Sequence, residues 1–159
     1  MPAAIGNKAP DFELPDTNLN MVALDSLKGN NVVLLFFPAV FSSVCTKALR
    51  QTNDELKFYD GLNAKVFGIS VDGPFALAKF RELFGVNFTL LSDFNKKAIT
   101  AYGCKYATWI AGMKGVSKRA SFVIDRNGIV RFAQILEKAG DYPDFEGIKK
   151  TLKALGRVK

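Results

Sequence analysis

The order of apolar runs and helix signals in this chain predicts an α/β domain built on a mixed central sheet flanked by helices. Three observations predict it. Short runs rich in β-branched and aromatic residues recur at Val32 to Phe37, Lys65 to Val71 and Phe88 to Leu91. Helix-length segments with recognisable starts and stops lie between and after them. Near the end, Ser121 to Ile124 and Ile129 to Phe132 flank Asp125-Arg126-Asn127-Gly128, and Asn-Gly between apolar strands is a strong hairpin signal.

The elements follow in order. Asp11 to Leu14 and Met21 to Leu24 flank Pro15-Asp16-Thr17-Asn18-Leu19-Asn20, a run of turn formers, so a small N-terminal hairpin is expected. Lys28-Gly29-Asn30-Asn31 turns into the run Val32 to Phe37, which reads as a buried central strand. Pro38 stops it. Ser42 and Ser43 follow, and either side chain can cap a helix by accepting from a free backbone N–H. That helix should run to about Tyr59, with Leu49, Leu56 and Tyr59 near one face and Gly61 as the residue that ends it.

The strand Lys65 to Val71 comes next. Asp72-Gly73-Pro74 reads as a helix start, with Pro74 suited to the first helical position. Phe75, Ala78 and Leu83 belong to that largely apolar helix, which stops at Gly85. Phe88 to Leu91 is a short strand. Ser92 or Asp93 caps a helix ending at Tyr102, with Gly103 beyond it and Cys104 at its exit. After the second hairpin, Phe145, Ile148, Leu152 and Leu155 mark an amphipathic helix.

Composition bounds the function. The 159 residues are expected to form a single domain over 1–159, and 48% hydrophobic with 23% charged residues matches a globular protein. The longest apolar stretch, Val32 to Phe41, is interrupted by a proline and is half the roughly 20 residues a membrane helix needs. Met1 to Lys8 lacks the apolar core of a signal peptide, and two cysteines make no disulfide framework, so a cytoplasmic setting is expected. With no histidine, a Cys–His dyad or His-bearing metal site is excluded, and two cysteines are too few for a structural zinc site. No phosphate-binding glycine loop is present, so no cofactor and no metal are expected. The net charge of +7 is concentrated after residue 113, where 11 Lys or Arg face 5 Asp or Glu. Lys149, Lys150 and Lys153 read as the solvated face of the last helix, and no aromatic platform accompanies them, so nucleic acid is not expected.

Cys45 carries the chemistry. A lone cysteine is ordinarily a small buried hydrophobe. This one follows strand, proline and serine caps, in or near the first turn of a helix. There the helix dipole and unpaired N–H groups favour the nucleophilic thiolate.

Pro38-x-x-x-Ser42-x-x-Cys45 resembles the active-site motif of the peroxiredoxins, Pro-x-x-x-Thr/Ser-x-x-Cys. Gly6-Asn7-Lys8-Ala9-Pro10-Asp11-Phe12-Glu13-Leu14 resembles that family's opening, and Arg119-Ala120-Ser121-Phe122-Val123-Ile124-Asp125 the stretch carrying its arginine. The three matches occur in the family's order and cover nearly the whole chain. The resemblance implies a thioredoxin-like fold with an N-terminal hairpin extension. It implies a thiol peroxidase, with hydrogen peroxide or a small organic hydroperoxide as substrate and Cys45 oxidised to sulfenic acid. Ser42 would orient the peroxide, Pro38 would shield the sulfur, and Arg119 would stabilise the thiolate and polarise the peroxide. A thioredoxin- or glutaredoxin-like thiol reductant and a homodimer or higher homo-oligomer are likewise implied.

Two departures bear on mechanism. The family often has a glutamate three residues after the reactive cysteine, helping to hold the arginine, and here that residue is Ala48. Cys104 lies 59 residues downstream of Cys45, and Arg50 stands where one branch of the family has its second cysteine. Cys104 is therefore either a resolving cysteine at an unusual place or a buried helix-exit residue. A disulfide oxidoreductase usually carries Cys-x-x-Cys, and Cys45-Thr46-Lys47-Ala48 argues against it. A peroxide sensor, redox relay or non-enzymatic interaction module with the same fold is the remaining alternative.

Overall fold

The computed structural model describes residues 3–138 and 140–156. Met1 and Pro2 of the N-terminal stretch, and Arg157 and Lys159 of the basic excess, lie outside the described residues. The expected first hairpin is β1 (Glu13–Pro15) paired antiparallel with β2 (Met21–Ala23). Its loop is held by Asp16, whose carboxylate accepts from the backbone N–H groups of Asn18 and Asn20.

A short 3-10 helix, Leu24–Leu27, leads to β3 (Asn31–Phe36). The other strands of the main sheet are β4 (Ala64–Ser70), β5 (Thr89–Ser92), β6 (Arg119–Ile124) and β7 (Val130–Leu136). Their spatial order is β5-β4-β3-β6-β7. The β3–β4 and β4–β5 pairs are parallel; β3–β6 and β6–β7 are antiparallel. The sheet is thus mixed, with β3 at its centre. Every residue of β3 is buried, which is why its sequence is an almost unbroken apolar run rather than an alternating one.

The helices are α1 (Ser43–Asp54), α2 (Leu56–Gly61), α3 (Pro74–Phe84), α4 (Lys97–Ala101) and α5 (Phe145–Gly156). Successive β3 side chains enter opposite core layers. Val33, Leu35 and Phe37 pack with Leu49 of α1, Leu77 and Phe80 of α3, and Ile148 and Leu152 of α5. Val32, Leu34 and Phe36 pack with Ile99 of α4, Tyr102 and Leu14 of the hairpin.

Several expected boundaries move for local physical reasons. The helix after Cys45 is two helices, because Glu55 leaves helical geometry at φ −102°, ψ 11°. Just before the break, the Thr52 hydroxyl donates to the Ala48 carbonyl, a back-bond that bends helices. The left-handed residue after α2 is Asn63 (φ 54°), not Gly61; Asn tolerates that region because its side chain can bond locally. In α3 the buried residues are Leu77 and Phe80, while Phe75 and Leu83 face solvent. α4 begins only at Lys97, yet Asp93 still serves its start, accepting from the N–H groups of Ala98 and Ile99. In the second hairpin only Gly128 takes positive φ, at 83°; the Asp125 carboxylate holds the turn through Asn127 N–H and Ile129 N–H. On α5, Lys149 is not simply solvated: it pairs with Glu55 and, like Lys153, lies over the Phe58 ring at 5.4 Å.

Candidate active site

β3 carries the chain to the edge of the sheet at which the parallel strands β3, β4 and β5 end. Pro38 is buried there, and the turn Ala39-Val40-Phe41 leads into α1. Phe41 takes φ 69°, an unfavourable value for a large side chain, and its half-exposed ring packs edge-on against Phe80 at 5.2 Å.

Ser42 is the N-cap of α1 by backbone geometry (φ −71°, ψ 148°). Its hydroxyl does not make the expected capping bond. It donates back to the Ala39 carbonyl at 2.9 Å, closing the turn on itself. A hydroxyl that donates inward keeps oxygen lone pairs for another donor. Cys45 is the third residue of α1, in the turn where backbone N–H groups have no intrahelical acceptor. Its side chain is 1% exposed.

Arg119 reaches Cys45 through sheet topology. β6 runs antiparallel to β3, with Ala120 opposite Phe36, so the first residue of β6 sits beside the end of β3. Strand alternation separates Lys118 from Arg119. Lys118 pairs with Glu137 at 2.9 Å, whereas Arg119 turns inward to 2% exposure and donates from Nη2 to Cys45 Sγ at 3.2 Å. A guanidinium in that position stabilises negative charge on sulfur. Ala48, 6% exposed, joins the apolar core beside this pair, so position 48 offers the guanidinium no carboxylate.

Cys104 lies elsewhere. It packs in the core layer with Ile99 and Tyr102, on the face of the sheet opposite Cys45. It is fully buried, its Sγ is 3.8 Å from Ser117 Oγ, and burial pushes its thiol up to about 12. The structure therefore brings Pro38, Ser42, Cys45 and Arg119 to one edge and leaves Cys104 on the other side of β3. It also adds a residue that the sequence reading assigned to a helix start. Asp72 does not cap α3, whose N-cap is Gly73; its carboxylate accepts from the Val40 N–H at 2.9 Å. Among the described residues, no three side chains of His, Cys, Asp or Glu gather to hold a metal, and no helix is long and apolar enough to cross a membrane.

The family model described as the AhpC/TSA family matches residues 5–133. The chain belongs to this family. It shares its peroxiredoxin character with a putative peroxiredoxin of Mycobacterium tuberculosis, 38% identical over 136 residues, or 84% of this chain and 86% of the relative. The alkyl hydroperoxide reductase E of Mycobacterium bovis is 35% identical over 143 residues, 88% of this peroxiredoxin-family chain and 90% of the relative. The crystal structure of peroxidoxin BcpB from Mycobacterium tuberculosis superposes with a TM-score of 0.81 at 31% identity, covering 98% of this chain and 97% of that one. The thioredoxin-like architecture expected from the motif is the one observed, with the hairpin of β1 and β2 added to it.

Proposed function

We propose that this chain acts as a one-cysteine peroxiredoxin, reducing hydrogen peroxide and small alkyl hydroperoxides at Cys45. The observation that carries the reading is the Arg119 Nη2–Cys45 Sγ contact of 3.2 Å, made at the start of α1 by two side chains almost closed to solvent. The Cys45 thiolate attacks one peroxide oxygen, forming an S–O bond as the O–O bond breaks. The leaving oxygen departs as hydroxide or alkoxide and takes up a proton. Arg119 stabilises the thiolate and then the charge spreading onto the peroxide oxygens. The Ser42 hydroxyl, donating to Ala39, accepts from the peroxide O–H and sets its orientation. Pro38 limits water at the sulfur.

The sulfenic acid is then reduced by two equivalents of an external thiol, one forming a mixed disulfide with loss of water and the second releasing Cys45. A thioredoxin- or glutaredoxin-like protein is the reductant of this reading. The burial of Cys104 on the opposite face supports an external thiol over an internal one. The working unit is a single domain over 1–159, in the cytoplasm, as a homodimer or larger homo-oligomer.

Stopped-flow mixing of reduced protein with hydrogen peroxide tests this, following Trp109 fluorescence and trapping sulfenic acid in parallel. Fast oxidation should vanish in Cys45→Ser and persist in Cys104→Ser, with a sulfenate equally long-lived in the latter and in the parent. If wild-type Cys45 reacts no faster than glutathione, the peroxidase reading fails. If Cys104→Ser alone prolongs a transient sulfenate, Cys104 resolves it.

A further inference from the structure

The turn that carries Pro38 and Ser42 is tied to distant parts of the chain. Between β3 and α1, the Ser42 hydroxyl donates to the Ala39 carbonyl within the turn, and Phe41 stands at φ 69°. A backbone residue held in that region persists only where its surroundings over-determine it. Two neighbours do so. The Phe41 ring is gripped by Phe80 and Phe84 of α3, with centroids 5.2 and 6.0 Å away. One residue earlier, the Val40 N–H donates to Asp72 Oδ2 at 2.9 Å, across a sequence separation of 32 residues.

Asp72 is itself fixed from three directions. The buried Ser70 hydroxyl, at the end of β4, donates to the same Oδ2 at 2.7 Å. The Asp72 N–H donates back to Ser70 Oγ at 3.2 Å. The buried Ser92 hydroxyl, at the end of β5, donates to the Asp72 carbonyl at 2.6 Å. Ser70 and Ser92 are themselves paired across the two strands. The end of β4 thus holds one carboxylate oxygen, the end of β5 holds the Asp72 main chain, and that oxygen holds the turn after β3.

We propose that Asp72 is a positioning residue for peroxide reduction. Through Val40 it sets the height of the turn, and with it the distance of the Pro38 ring and the Ser42 hydroxyl from Cys45. It touches neither sulfur nor peroxide. The thiolate and its arginine do not depend on it, since Cys45 is placed by α1 and Arg119 by β6. The inference rests on the peroxidase reading given above. It separates two reactivities of one sulfur: reaction with a peroxide, which needs an oriented O–O bond, and reaction with an alkylating agent, which needs only an accessible thiolate. Misplacing a positioning group by about 1 Å costs up to roughly a hundredfold in rate.

The test compares Asp72→Ala, Asp72→Asn and Ser70→Ala with the parent. Each is assayed for the second-order rate of Cys45 oxidation by hydrogen peroxide and for its rate of alkylation by iodoacetamide. Asp72→Asn can keep an oxygen for Val40 N–H and Ser70 Oγ–H. Asp72→Ala should oxidise roughly 10- to 100-fold more slowly, with alkylation no slower than in the parent, because a displaced Pro38 would expose the sulfur rather than cover it. Asp72→Asn should restore oxidation to within about fivefold, and Ser70→Ala, which keeps the carboxylate but removes its inner tether, should fall between. Oxidation unchanged in both Asp72→Ala and Ser70→Ala, beside a fast parent, would overturn the positioning role and leave the peroxidase reading intact. Oxidation and alkylation falling together in every variant that folds would also overturn it, since that is loss of the thiolate rather than of the peroxide's orientation. If Asp72→Ala does not fold, the comparison of Ser70→Ala with Asp72→Asn decides by the same criteria. A parent that oxidises no faster than glutathione would instead remove the reading on which the proposal stands.

Discussion

Replacing Arg119 with methionine removes the guanidinium while keeping most of the side chain's length and apolar stem. Arg119 is 2% exposed and its Nη2 lies 3.2 Å from Cys45 Sγ, so the bond lost is a buried, charge-assisted one. Such bonds contribute about 1.5–3 kcal/mol. At about 1.36 kcal/mol per decade of rate, peroxide oxidation of Cys45 should slow roughly 10- to 150-fold. Arg119→Lys should recover part of that. It restores a cation, but a single ammonium cannot serve sulfur and peroxide from one planar fork. Stopped-flow oxidation by hydrogen peroxide gives the rate constants, and thermal unfolding of each variant shows whether the core has survived. An Arg119→Met protein that melts within a few degrees of the parent and still oxidises within threefold of its rate would refute the argument. The short contact would then be packing rather than chemistry.

Two further outcomes follow from the core. Burial raises the Cys104 thiol from its usual 9.0 to about 12, and the Tyr59 phenol from 10.0 to about 12, so the folded chain keeps protons that the unfolded chain releases. Their contribution is complete below pH 9 and is lost as pH rises toward 12; urea midpoints should fall over that window, and less steeply in Cys104→Ala. An equal slope in the variant would remove Cys104 from the account. In β4, a side-chain carbon added at Gly68 would sit 2.7 Å from Leu90 Cδ2 and 3.3 Å from Phe88 Cε2. Gly68→Ala should therefore destabilise the protein by about 1–3 kcal/mol, several degrees in Tm, and an unchanged melting curve would show that β5 yields freely.

Much of this molecule is legible in local chemistry. β3 announces itself because a strand buried on both faces must be apolar throughout. α3 is bounded by Pro74 and Gly85, whose backbone preferences act on the chain wherever it lies. Cys45 is marked by the strand, proline and serine before it. The misplaced boundaries are those where one residue's side-chain bond or backbone tolerance outweighs the expected stop: Thr52 back-bonding to Ala48 before Glu55, or Asn63 taking the left-handed turn expected of Gly61.

The sequence by itself determined the alternation of strands and helices and the place of Cys45 at a helix start. Each of these depends on interactions among residues close along the chain. The family resemblance named Arg119, but only the tertiary structure shows how it comes to face the sulfur, where the second cysteine lies and what holds the turn. Arg119 and Lys118 have almost the same local chemistry, and the antiparallel register of β6 on β3 turns one inward and the other to Glu137. Cys104 is set apart from Cys45 by the sheet itself. Asp72 looks like a helix cap until the parallel ends of β4 and β5 carry it to the Val40 N–H. Such pairings are set by chain crossing and strand register, which no local run of residues records.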